Sequence, residues 1–214
     1  MSEPHPDSAS MGPLKSRSAA IIRGAWGFGL TGVIAFSLWA FQSAWLPKGG
    51  GELLLYSAIA SAFLGLSGLL LHPLISGPRS LLNFYLRFVP AFALYSVVWS
   101  AAWFIWGFGF GEVAGTLAGS LAFVAVLGRL EKGWRPLLAA SSFLFLVHFA
   151  TYWLGGQLAY RLLGPHGGEW LPGVDAATRG LIAKLLWGLF YGVGFGAALG
   201  NALFTYRTIP TEPK

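Results

Sequence analysis

Six stretches of the chain are apolar almost without interruption, at 24–46, 53–71, 88–106, 113–128, 136–157 and 181–206, and the polar positions gather between them. Crossing ~30 Å of hydrocarbon takes about 20 helical residues. The runs match that length; the fourth is the shortest and has to sit upright or thin the bilayer locally. Barrel strands would be about half as long and would alternate apolar with lumen-facing polar residues. Continuous runs in a medium without water require backbone groups satisfied within each segment, which means helices. The pattern therefore predicts an all-α fold: a polytopic membrane protein, a bundle of six transmembrane helices.

The segments between the runs assign sides. Lys15, Arg17, Arg23, Arg79, Arg87, Arg129, Lys132, Arg135, Arg207 and Lys214 fall on one side, and Lys48, Arg161, Arg179 and Lys184 on the other. The basic side is the cytoplasmic one, giving an N-in/C-in arrangement in a bacterial inner membrane. Residues 1–23 read as a disordered basic cytoplasmic tail, since the first eighteen are rich in Ser, Pro and charge. Residues 24–206 form the membrane domain and 207–214 a short cytoplasmic tail. A cleaved signal peptide does not fit, because 24–46 is membrane-length and ends in Trp45-Leu46-Pro47.

Composition supports this. With 55% hydrophobic and 10% charged residues, no soluble surface could be covered. The net charge of +6 follows from topology and attraction to anionic headgroups. No basic stripe alternates with exposed aromatics, so nucleic acid is not an expected partner. The partners expected are the lipid bilayer and a second copy or another membrane subunit. The absence of cysteine removes disulfides, thiolate metal sites and iron–sulfur clusters, no metal-ligand spacing is present, and no cofactor is indicated.

Several local features carry structure. Gly107-Phe108-Gly109-Phe110-Gly111 reads as a tight interfacial turn in preference to a re-entrant dip, and Pro90 predicts a kink early in the third span. Asp175 precedes Ala176-Ala177-Thr178 as an N-cap for the sixth helix. Within that helix Gly188, Gly192, Gly196 and Gly200 recur every fourth residue as a glycine zipper. Such a stripe lets another helix approach at backbone distance, either inside the bundle or in a second subunit.

Polar chemistry inside the spans is sparse. His148 is the deepest ionisable group, and at helical spacing it shares a face of the fifth span with Ser141, Thr151, Tyr152 and Gly155. In the third span Trp99 and Trp103 lie beside Ser96 and Ser100. Together, His148, Tyr152, Ser96, Ser100, Trp99 and Trp103 are the candidate ligand-binding residues, for an apolar or small neutral molecule. Glu112 and Lys184, matched in depth at the outer ends of the fourth and sixth spans, are expected to form an ion pair. No catalytic residues emerge: metalloprotease, nucleotide-binding and dinucleotide motifs are absent.

Three functions remain open. The first is a non-enzymatic membrane subunit or assembly partner, holding an apolar ligand. The second is a carrier or substrate-binding component of a transporter for a small neutral or hydrophobic solute. The third is an intramembrane hydrolase using Ser120 and His148, although the Gly-x-Ser-Gly motif of the rhomboid type is absent.

Overall fold

A computed structural model describes residues 16–46, 51–75, 77, 79–128 and 133–207. Its helices are α1 (Arg17–Ala40), α2 (Gln42–Trp45), α3 (Glu52–Leu71), α4 (Ser80–Trp106), α5 (Phe110–Leu127), α6 (Trp134–Leu163), α7 (Gly167–Trp170) and α8 (Ala176–Thr205), with a 3₁₀ turn at His72–Leu74 after α3. The described residues contain no strand. Six helices, α1, α3, α4, α5, α6 and α8, are long and apolar enough to cross a membrane. The shortest, α5, has 18 residues, or about 27 Å at 1.5 Å per residue.

The exterior is as apolar as the interior. Trp26 is 78% exposed, Leu53 81% and Phe104 79%, an arrangement stable only where lipid is the solvent.

Helix boundaries follow local chemistry. Ser16 Oγ accepts the Ala19 N–H at 3.1 Å, so α1 begins at Arg17 rather than at residue 24. The part of the expected disordered tail from Ser16 to Arg23 is therefore capped or helical; residues 1–15 and 208–214 lie outside the described residues, as do Lys48, Arg129 and Lys132. Asp175 caps α8 as expected, accepting the Thr178 N–H at 3.0 Å and the Thr178 hydroxyl at 2.6 Å. That cap starts α8 at Ala176, five residues before the apolar run. Gly107 and Gly109 take positive φ of 71° and 86°, making the α4–α5 connection a tight turn. α4 continues through Pro90.

The helices close into a ring in the order α3, α1, α8, α6, α5, α4, with the slightest contact between α4 and α3. The most extensive contact joins α1 to α8. These run antiparallel, with Ala20 against Gly200, Gly24 against Gly196, Phe28 against Gly192 and Gly32 against Gly188. A Cβ placed on Gly196 would overlap the Gly24 carbonyl, and one on Gly200 the Ala20 carbonyl. The glycine stripe is thus covered by α1 of the same chain. A second stripe, Gly111, Gly115 and Gly119 on α5, lies against α4: added Cβ atoms would come within 2.8 Å of the Ala102 carbonyl, 3.0 Å of the Trp99 carbonyl and 2.9 Å of the Tyr95 ring.

The middle of the bundle is filled by phenylalanine. Phe28 stacks on Phe195 at 5.0 Å, Phe123 meets Phe195 edge-on at 5.1 Å, and Phe88, Phe92 and Phe63 continue the cluster. At the face where α1 starts and α8 ends, Arg17 Nε donates to Asn201 Oδ1 at 2.5 Å. Asn201 is fully buried.

Candidate functional site

The six long helices run between the face that carries Arg17 and Tyr206, the terminal face, and an opposite, distal face. The phenylalanine cluster blocks the middle, and beyond it the distal half holds a cavity of ≈ 510 Å³. α1 supplies Phe36 and Trp39, α3 Tyr56 and Ile59, and α4 Tyr95, Ser96, Trp99 and Ser100; α6 gives His148 and Tyr152, and α8 gives Trp187 and Tyr191. Tyr85 joins α3 to α4 on the terminal side of this cavity. Its hydroxyl donates to the Gly65 carbonyl at 2.6 Å and its ring fills the gap above Gly68, so α3 and α4 meet towards the terminal face, while further out both line the cavity.

His148 forms the base. It is 1% exposed and held by edge-on rings, Tyr191 at 4.8 Å and Phe195 at 5.2 Å between centroids. Nδ1 has no hydrogen-bond partner, and neither does the buried Trp187 Nε1. Unpaired buried polar atoms are costly; of the six in the described residues, these two belong to side chains that line the cavity, while those of Ser120, Ser141, Arg179 and Asn201 lie elsewhere. Ser96 returns its hydroxyl to the Phe92 carbonyl at 2.9 Å, as expected for a serine within an apolar helix.

The structure brings His148, Tyr152, Ser96, Ser100 and Trp99 to this cavity, and leaves Trp103 out of its lining. Trp103 lies one turn further along α4, where its backbone packs on Gly111, and it is 38% exposed. Depth along the helix separates it from the others. The expected Glu112–Lys184 ion pair is not formed in this structure. Glu112 Oε1 instead accepts the Tyr152 hydroxyl at 2.9 Å, and Lys184 Nζ lies 4.8 Å from the Trp39 ring centroid. Equal depth did not fix direction around the bundle: Lys184 faces α1, and Glu112 faces α6. Ser120 and His148 make no hydrogen bond; Ser120 Oγ is buried without a partner and does not line the cavity. The nucleophile–base contact a hydrolase needs is therefore not present.

A second cavity of ≈ 550 Å³ lies between α5 and α6, lined in part by Phe108, Glu112, Trp153, Gln157 and Tyr160. Tyr152 and Trp187 line both cavities and form the partition between them. Sequence reading missed this cavity and the buried Asn201. A lone Asn in an apolar run beside the glycine stripe was the available signal for the latter. Among the described residues no group of three or more His, Asp or Glu side chains could hold a metal ion.

No family model matches the chain, and no curated protein or solved structure is significantly similar to it. Fold and surface are those of a multi-pass integral membrane protein; anything narrower rests on the cavities themselves.

Proposed function

We infer that the protein binds a small neutral or largely apolar solute in the distal aromatic cavity, as a carrier or the substrate-binding component of a transporter. It does so with both termini in the cytoplasm of a bacterial cell. The observation carrying this reading is the cavity at His148, walled by aromatic rings with Ser96, Ser100 and Tyr152 as further polar side chains in its lining. Pockets of 300–1,000 Å³ with few convergent polar groups are the usual form of small-molecule sites. The alternative, a subunit that assembles through its glycine stripe, loses its main support because α1 already covers that stripe.

The test is purification of the full chain in mild detergent followed by mass spectrometry of the intact protein and its bound small molecules. A retained neutral or apolar compound, lost from Ser100→Phe and kept by Trp103→Phe, supports the reading; uptake of that compound into proteoliposomes extends it to transport. Retention by both variants alike would overturn it.

A further inference from the structure

The second cavity differs chemically from the first. Its walls are aromatic, with Phe108, Trp153, Tyr160 and the shared Tyr152 and Trp187, and its one charged side chain is Glu112. Among the described residues no Lys, Arg or His lines it. Glu112 has no salt bridge among the described residues, and the only side-chain hydrogen bond it accepts there comes from the Tyr152 hydroxyl. A part-buried carboxylate therefore faces an open, largely aromatic cavity, with Phe108, Trp153 and Tyr160 on its exposed rim and no counter-charge among the described lining residues.

A hard divalent cation would need six or more oxygen ligands, which one carboxylate among rings does not supply. A soft, weakly hydrated organic cation needs a negative charge for its nitrogen and aromatic rings for its alkyl groups, and the lining holds Glu112 together with Trp153, Tyr160 and Trp187. We propose that this cavity binds an organic ammonium cation, with the nitrogen at Glu112 and its substituents against Trp153, Tyr160 and Trp187. The ammonium belongs either to a small soluble cation or to a lipid headgroup, since α5 begins at the distal end of the bundle where a headgroup would lie.

Two substitutions separate charge recognition from a structural tie. Glu112→Gln removes the charge and keeps an oxygen to accept the Tyr152 hydroxyl. Tyr152→Phe keeps the charge and the ring and removes the hydrogen bond. In nanodiscs of phosphatidylglycerol, which carries no ammonium, equilibrium dialysis of radiolabelled choline should show binding weakened about tenfold or more by Glu112→Gln and weakened clearly less by Tyr152→Phe. The uncharged tert-butyl analogue of choline should not distinguish wild type from Glu112→Gln. If choline itself fails to bind but phosphatidylcholine in the nanodisc raises the melting temperature in a Glu112-dependent way, the cation is a lipid headgroup. The proposal falls if neither probe distinguishes Glu112→Gln from wild type, or if both variants weaken binding equally. Ser100→Phe, in the other cavity, is expected to leave choline binding unchanged, so failure of either site is read separately.

Discussion

Tyr152 donates its hydroxyl to Glu112 at 2.9 Å and sets its ring edge-on to Trp99 at 6.4 Å, so a single side chain ties α6 to α5 and walls both cavities. Loss of the hydroxyl alone should be mild. Tyr152→Phe is expected to cost near the lower end of the ~1.5–3 kcal/mol typical of a hydrogen bond to a charged group, because Glu112 is part-exposed. Tyr152→Ala removes the partition itself and should approach the ~3–5 kcal/mol of a large aromatic truncation. Thermal melts of both in the same detergent check the order.

The α1–α8 contact predicts which glycines tolerate a methyl group. Gly196→Ala would drive a Cβ into the Gly24 carbonyl, and backbone cannot swing aside, so a loss at or above the ~1–3 kcal/mol of ordinary overpacking is expected. Gly65→Ala, with nothing within 4 Å of the added Cβ, should be neutral or stabilising by about 0.5–1 kcal/mol. Equal melting temperatures for the two variants would remove the close approach from the account.

His148→Phe should separate ligand binding from stability. The imidazole is buried with Nδ1 unpaired, and replacing an unsatisfied polar group with an apolar ring of similar shape is neutral or favourable, by as much as ~1–3 kcal/mol. The expected result is an unchanged or higher melting temperature with weakened retention of the bound solute. A markedly destabilised variant would mean that the imidazole serves the fold.

Asp175 gives a pH-dependent term. The Thr178 hydroxyl, then the Thr178 N–H, hold its carboxyl below the usual carboxylate range. A depressed folded-state value stabilises the protein above the unfolded-state pKa, about 3.9, and the contribution disappears as pH falls through the folded value. Asp175→Asn keeps a capping oxygen without the titration. Wild type should lose more melting temperature than Asp175→Asn between neutral pH and pH ~3, modestly, since the group is exposed.

Orientation is checked by reporter fusions. Those after Gly51 and Gly168 should report the outer side, and those after Gly77 and Gly133 the cytoplasm. The opposite pattern would reverse the assignment made from loop charge.

The spans were legible because lipid solvation forces long uninterrupted apolar runs, which need no tertiary information to recognise. Asp175 was legible for a similar reason, its cap being made by Thr178 three residues away. The gathering of His148, Tyr152, Ser96, Ser100 and Trp99 around one cavity followed from helical spacing and depth. What depth cannot give is direction around a helix axis relative to neighbours not yet placed, and so Lys184 was paired with Glu112 instead of Trp39. The Gly111, Gly115 and Gly119 stripe was readable by the same four-residue spacing as Gly188 to Gly200. It was obscured because its first glycine belongs to the Gly-Phe turn. The start of α1 was locally readable in the same way as the Asp175 cap, since Ser16 caps it through Ala19 three residues on, but the polar run around it suggested a tail; the contact of Arg17 with Asn201, 184 residues away in sequence, lies in no local window.

That separation bears on biogenesis. At about 5–20 residues per second, a ribosome needs roughly 10 to 40 s to pass from Arg17 to Asn201. Until α8 has been made, the glycine-notched side of α1 lacks the surface shaped to receive it. Closure of the ring is therefore a late event, and the newly inserted chain spends its first seconds as an open arc that lipid, or an insertase, has to cover.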